Sequence, residues 1–314
     1  MKISVLDANT LGSDLDLSPF EQFGELKIYD YTEPENVVRH IDDSDIIIVN
    51  KVKINESNIA SAKNLKLICE MATGYDNIDL NYCKSKGIAV CNVVGYSSNG
   101  VAQITVSMAL SLISHLEEYR NAVVCGQYSS GKNANILTPV FHEISGLTWG
   151  IVGYGNIGKR VADIARALGC RIMISKKNNT DKECVDIDTL CANADIISVH
   201  TPLTPETRNL INRERIALMK STAIFINMAR GAVADEASLT EAIISKKLGG
   251  LGIDVYTSEP FPKEHPYSEI MKLDNVCLTP HMAWGAYESR VRCRDETVKN
   301  IKAFLGETKR NRVC

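Results

Sequence analysis

No two cysteines in this chain stand at C-x-x-C spacing, although there are ten of them: Cys69, Cys83, Cys91, Cys125, Cys170, Cys184, Cys191, Cys277, Cys293 and Cys314. Most sit in apolar segments, and the histidines form no ligand-like pair. A zinc module and a disulfide scaffold are therefore excluded, and reduced thiols in a cytoplasmic protein are expected. Long apolar runs are missing too, since none approaches the ~20 residues of a membrane span. The opening Met-Lys-Ile-Ser-Val-Leu-Asp meets an acid too early for a signal peptide. With a net charge of −3 at pH 7 there is no electrostatic case for nucleic acid or an anionic membrane. Internal repeats and low-complexity stretches are absent as well.

What is present is an ordinary globular composition, 45% apolar and 23% charged over 314 residues. That length points to about two domains at roughly 150 residues each. Strand-like runs at Ile3 to Leu6, Leu26 to Tyr29, Ile46 to Val49, Leu65 to Cys69 and Ile88 to Cys91 alternate with helical candidates near Pro34 to Ile41, Glu56 to Ala62 and Leu80 to Lys86. Such alternation implies a parallel α/β sheet. Residues 98 to 120 read as one long helix, apolar on more than one face, that is either central to the core or packed on a second subunit and bridges the domains. From Gly126 to Gly146 a loop is expected.

The organising stretch runs from Gly146 to Lys177. Leu147 to Val152 suits a buried strand, and Gly153, Gly155 and Gly158 follow it at G-x-G-x-x-G spacing. Ile157, Val161, Ile164 and Leu168 line one helical face, Gly169 closes the helix, and Arg171 to Ser175 forms a second strand. In this β-α-β unit Gly153 allows a sharp turn, Gly155 lets a pyrophosphate approach the backbone and Gly158 lets helix and strand pack closely. The anion would rest on the free N–H groups of the helix beginning near Asn156 and Ile157. A dinucleotide is the expected ligand.

At the end of the second strand, where an acid usually meets the adenosine ribose, this chain has Ser175, Lys176 and Lys177, then Asn178 and Asn179, and its next acid is Asp181. Ammonium groups attract a 2′-phosphate that a carboxylate would repel, which favours NADP(H), with NAD(H) possible. The two lysines could equally do no more than solvate a strand end.

Further strands are expected at Asp195 to His200, Ala223 to Asn227, Gly252 to Val255 and Val276 to Leu278, with a helix at Glu236 to Lys246. A last helix, Ala286 to Leu305, returns to the first domain, and the basic tail from Lys309 to Cys314 is expected to fray. Three polar residues stand just beyond strand ends: Arg230, Glu259 and His281. Ligands in open α/β sheets bind outside the carboxyl ends of strands. Arg230 can fork two hydrogen bonds to a carboxylate, His281 has the natural pKa of an acid near neutrality, and Glu259 beside it would raise that pKa. Each has a bland alternative, as an interdomain ion pair, a turn carboxylate and a core histidine. His200 reads as cofactor-lining or structural, and His265, between Glu264 and Pro266, as loop.

Together these motifs resemble the D-2-hydroxyacid dehydrogenase family over essentially the whole chain. Val-Gly-Tyr-Gly-Asn-Ile-Gly, His200 to Thr207, Asn227 to Glu236, Asp254 to Pro260 and Thr279 to Trp284 look like its successive signatures. Asn50-Lys51, the Gly95 to Gln103 segment and His-Met-Ala-Trp are most similar to its hydroxypyruvate reductase or glycerate dehydrogenase subgroup. The resemblance implies a Rossmann dinucleotide domain at 100–282 and a flavodoxin-like substrate domain split between 1–99 and 283–314. It implies that Arg230 binds substrate, His281 is the acid/base, Glu259 is its partner and Asp254 holds the nicotinamide carboxamide. Thr105, His200, Thr201, Pro202, Thr207, Met228 and Ala229 join the glycine loop as implied cofactor contacts. Met71 to Asp79 looks like the family's substrate loop, so that Ala72, Thr73, Gly74 and Tyr75, with Lys51 and Trp284, would meet a small substrate.

The activity implied is NAD(P)H-dependent reduction of hydroxypyruvate or glyoxylate to the D-2-hydroxy acid in a cytoplasmic homodimer, with domain closure excluding water. Two rivals stay open at this point: a reductase of branched or aromatic keto acids, and a dinucleotide-sensing binding protein, because the scaffold also resembles a transcriptional corepressor that senses NAD(H). No metal is expected, and no long C-terminal regulatory extension is seen that would support control by amino acids.

Overall fold

Runs of three to five residues rich in Ile and Val become the strands, and the loops between them carry the polar residues. The computed structural model describes residues 1–177 and 182–314, so Asn178, Asn179 and Asp181 at the cofactor-selecting position lie outside the described residues. Two compact units are formed, Met1–Ser97 with Gly285–Cys314, and Ser98–Trp284.

In the first unit β1 (Lys2–Val5), β2 (Glu25–Ile28), β3 (Ile46–Val49), β4 (Leu67–Glu70) and β5 (Ala89–Cys91) form a parallel sheet in the order β2-β1-β3-β4-β5. This is the flavodoxin-like doubly wound order, with its switch point between β1 and β3. The central strand β3, Ile-Ile-Ile-Val, is buried on both faces, whereas no residue of the edge strand β2 is fully buried. Helices α1 (Val37–Ile41), α2 (Glu56–Ile59) and α3 (Leu80–Ser85) are shorter than their apolar patterns suggest. Pro34–Asn36 turns as a 3-10 segment, and α2 ends after one turn.

The tail does not fray. Val313 donates its N–H to the Val90 carbonyl at 2.8 Å and Asn92 donates to the Asn311 carbonyl at 3.1 Å, while Cys91 and Arg312 form an antiparallel bridge. Its Arg-Asn-Arg residues suggested solvent, but Val313 and Cys314 pack on the core beneath β5 and pair its open edge.

The second unit opens with α4 (Ser98–Ile113), and the single helix expected over 98–120 is in fact two. His115 takes a left-handed φ of 50° and α5 (Leu116–Val124) starts anew. Glu117 and Glu118 in its first turn suit a fresh positive helix end, a start signal that lay inside the long apolar pattern. A one-turn helix, α6 (Gln127–Ser130), follows within the expected loop. The remaining elements are β6 (Thr148–Val152), α7 (Asn156–Ala167), β7 (Arg171–Ser175), α8 (Ile187–Asn193), β8 (Ile196–Val199), α9 (Arg213–Leu218), β9 (Ile224–Asn227), α10 (Glu236–Ile244), β10 (Gly250–Ile253) and β11 (Val276–Leu278). All six strands are parallel, ordered β11-β10-β9-β8-β6-β7, and Cys184 adds a single parallel bridge to Ile174 at the β7 edge.

That sheet is a Rossmann sheet with its crevice between β6 and β8. One core packs α4 and α7 on one face, with Trp149, Ile151, Val161, Ile174 and Ile226 buried. The other packs α8, α9 and α10 around Phe225, Leu239 and Leu251. The last helix, α11 (Tyr287–Leu305), belongs to the first unit and packs on β4.

Candidate functional site

The glycine loop joins β6 to α7. Gly153 has a φ of +94°, and a Cβ there would stand 2.7 Å from the Thr201 nitrogen, so this turn admits only glycine. A Cβ on Gly158 would meet the Gly153 carbonyl oxygen at 2.1 Å, which is how α7 comes so close to the turn. Around Gly155, by contrast, there is open space, and no side chain caps the first turn of α7. The backbone N–H groups at Asn156 and Ile157 are thus available to an anion, and the donor set fits the pyrophosphate of a dinucleotide.

At the neighbouring strand ends, Gly153 donates its N–H to the Ser175 carbonyl at 2.9 Å. Lys176 Nζ stands 5.8 Å from the centre of the Tyr154 ring, and Lys159 Nζ stands 6.0 Å from it. Lys177 is exposed and, with the Thr204 hydroxyl as the larger cause, helps hold the Glu206 carboxyl low. His200 Nε2 and the Ser198 hydroxyl lie 3.0 Å apart in a hydrogen bond, Ser198 accepts the Trp149 indole N–H at 2.9 Å, and His200 Nδ1 is buried without a partner. Burial pushes the His200 ring down to about 3, so it is no proton donor near neutrality.

Thr207 donates its hydroxyl to the Pro202 carbonyl at 2.6 Å and orders the loop after Thr201. Thr105 is fully buried in α4, its hydroxyl given to the Val101 carbonyl at 2.7 Å. Met228 and Ala229 are buried at the end of β9, where Asn227 Oδ1 accepts the Ala229 N–H at 3.0 Å.

Arg230, Glu259 and His281 follow adjacent strands whose ends are in register, Asn227 beside Ile253 and Ile253 beside Leu278. Half-buried Arg230 begins the turn after β9, and its Nη1 donates to the Ala229 carbonyl at 2.9 Å. The next residue, Gly231, lies against the following loop so closely that a Cβ would come within 2.0 Å of the Tyr256 carbonyl carbon. Glu259 Oε1 accepts the Tyr256 N–H at 3.0 Å, and its Oε2 lies 2.6 Å from His281 Nδ1. The carboxylate therefore takes the Nδ1–H and leaves Nε2 for a reacting partner.

His281 has a φ of 51°, a left-handed backbone rarely adopted outside glycine and held here by neighbours. Asp254 accepts the Thr279 hydroxyl at 2.6 Å, the Met282 N–H at 2.9 Å and the Ala283 N–H at 3.0 Å. Tyr256 donates its hydroxyl to the Thr279 carbonyl at 2.8 Å. Burial raises the Asp254 carboxyl, and these hydrogen bonds oppose the rise. Trp284 packs partly into the α4–α7 core.

In the first unit, Asp7 at the end of β1 accepts N–H groups from Asn50 (3.1 Å), Lys51 (2.6 Å) and Val52 (3.2 Å) across the switch point. Lys51 is exposed on that loop. The Ala72 to Tyr75 segment is anchored by Thr73, whose hydroxyl donates to the Val93 carbonyl at 2.9 Å, and by Val93 N–H to the Ala72 carbonyl at 2.9 Å. Glu70 beneath it is fully buried; Oε2 accepts from Asn77 Nδ2 at 2.9 Å and Oε1 has no partner.

Asp7, Glu70 and Asn77 escaped the sequence reading, as did Glu236 and Thr257, and His265 was read as loop. His265 is not a simple loop residue: it is buried against Glu236, at 3.0 Å, and caps the 3-10 turn Pro266–Glu269. Asp7 and Glu70 carried a visible signal, each standing directly after an apolar strand-like run, Ile3 to Leu6 and Leu65 to Cys69. Among the described residues no cluster of three His, Cys, Asp or Glu could hold a metal, and no helix is long and apolar enough to cross a membrane.

Residues 106–283 match the family described as D-isomer specific 2-hydroxyacid dehydrogenase, NAD binding domain. The chain is 34% identical to a hydroxypyruvate reductase of Blautia hydrogenotrophica, covering 97% of each chain, and 35% identical to a glycerate dehydrogenase of Methylorubrum extorquens, covering 99% of this chain and 98% of that one. Among solved structures, a D-lactate dehydrogenase from Aquifex aeolicus complexed with NAD and lactic acid superposes with a TM-score of 0.85 at 32% identity, covering 98% of this chain and 96% of that one.

Proposed function

Because the chain belongs to the D-isomer specific 2-hydroxyacid dehydrogenases, nicotinamide-dependent oxidoreductases of 2-oxo acids, we propose that it reduces a small 2-oxo acid, hydroxypyruvate or glyoxylate, with NADPH preferred. The observation that carries the reading is the 2.6 Å contact between His281 Nδ1 and Glu259 Oε2 at the carboxyl end of the sheet that bears the glycine loop. Gly155, Asn156 and Ile157 would hold the pyrophosphate, Ser175, Lys176 and Lys177 the adenosine ribose and its phosphate, and Asp254 the carboxamide. When bound, the cofactor supplies the hydride.

Arg230 forks onto the substrate carboxylate and polarises the 2-oxo group. With Glu259 on Nδ1, the imidazolium of His281 presents its Nε2–H to the carbonyl oxygen as hydride arrives, and Glu259 stabilises that cation until the proton has moved. In the first unit the proposed substrate contacts are the backbone N–H groups of the Ala72 to Tyr75 loop and Lys51; in the second, Trp284 limits the substrate's size. The working form is a homodimer. Val123, Val124, Leu137, Val140 and Phe141 stand exposed beyond α4, whose own apolar faces are covered within its unit.

Initial rates of NADPH and NADH oxidation with hydroxypyruvate, glyoxylate and phenylpyruvate test the reading. Fast NADPH turnover with the first two is expected, abolished in His281→Ala at nearly unchanged cofactor affinity, and shifted toward NADH in Lys176→Asp. Turnover confined to phenylpyruvate would discard the substrate, and none at all beside tight dinucleotide binding would discard the reaction.

A further inference from the structure

Glu236 opens α10, where a carboxylate ordinarily sits in water against the positive helix end. Here it is only 8% exposed and turned toward the loop after β10. Its Oε1 accepts the Thr257 N–H at 2.9 Å, and Oε2 accepts the Thr257 hydroxyl at 2.5 Å and lies 3.0 Å from His265 Nε2. His265 Nδ1 accepts the Tyr267 N–H at 3.3 Å, so the ring's hydrogen lies on Nε2 and points at Glu236. Every partner of this carboxylate is a donor. An ionised carboxylate satisfies all three, and a carboxamide cannot.

Thr257 stands two residues before Glu259, inside the turn in which Tyr256 gives its N–H to Glu259. Gly231 closes on the same stretch from the other side, its missing Cβ leaving room for the Tyr256–Thr257 peptide. Thr257 itself is exposed, and its side-chain partner is Glu236. We propose that Glu236 is a positioning residue for the reaction: by holding Thr257, it sets the Glu259 carboxylate on His281 Nδ1. The proposal rests on the assignment of Glu259 and His281 as the catalytic pair.

The experiment compares the full-length wild type with Glu236→Ala, Glu236→Gln, Thr257→Val, Glu259→Gln and the Glu236→Ala/Glu259→Gln double variant, measuring kcat, KM and cofactor Kd across the neutral pH range. Both Glu236 variants should lose on the order of 10-fold or more in kcat, since a displacement of about 1 Å at a reacting group costs that much, while cofactor Kd stays level. The alkaline limb of kcat/KM for reduction should move to lower pH, because the Glu259 carboxylate no longer sits on His281 Nδ1, while Asp254 stays in place. Thr257→Val, which removes one hydroxyl and keeps the N–H, should show a smaller loss of the same kind. In the Glu259→Gln background the Glu236 substitution should cost nothing further.

Additive losses in the double variant, or variants with wild-type kcat and pH profile, would overturn the positioning role while leaving the reaction intact. A wild type that turns over no 2-oxo acid would instead overturn the assignment on which the proposal stands.

Discussion

Glu70 places a carboxyl with one unpartnered oxygen in the core of the first unit, and burial raises it well above the usual carboxylate range against the single bond from Asn77. Asp7 is raised by the same cause, opposed by its three backbone N–H partners. A carboxyl whose folded pKa exceeds its unfolded value of about 4.3 stabilises the fold fully below that value, and the contribution is lost as pH rises through the folded pKa. Melting temperature should therefore decline across that window, and Glu70→Gln, which still accepts from Asn77, should flatten the decline and melt a few degrees higher on its alkaline side. Scanning fluorimetry over pH checks this; parallel curves for the two proteins would refute it. Asp7 and Glu70 each follow an apolar run in the sequence, but their burial depends on residues far along the chain. Arg230, Glu259, His281 and the glycines each follow an apolar strand and so announce themselves locally, whereas Glu236 meets His265 only because two separate loops fold over α10.

Elements were more legible than their ends. Each run of Ile and Val became a strand, since a run buried on both faces has no other stable place in a parallel sheet. Helices were overread where an apolar pattern ran on past a new start, as at His115, or past a 3-10 turn, as at Pro34. The tail was misread because its charges outweigh Val313 in sequence, yet a backbone edge accepts any residue that presents an N–H. Deleting residues 309–314 should cost ~2–4 kcal/mol, at about 1 kcal/mol per hydrogen bond plus the packing of Val313. Hydrogen exchange should speed up across β5 while dinucleotide affinity holds, and unchanged protection of residues 89–92 would show that the tail contributes nothing there.

For the molecule as a whole, the exposed apolar residues between Leu116 and Phe141 argue for a second copy of the chain. Light scattering should give twice the monomer mass, with Val124→Asp and Phe141→Asp shifting it toward the monomer; a monomeric wild type would remove the homodimer from the reading. The order in which the chain supplies its two units has a consequence of its own. The second unit is one uninterrupted stretch, but the first is completed only by α11 and by the strand-like tail that pairs with β5. During synthesis the Rossmann unit can close as soon as residue 284 has left the ribosome, while the sheet of β1 to β5, made earlier, waits with an open β5 edge until residues 311–313 emerge. Of the two units, the one begun first is completed second, and a nascent chain stalled before α11 would expose that edge to aggregation or to a chaperone.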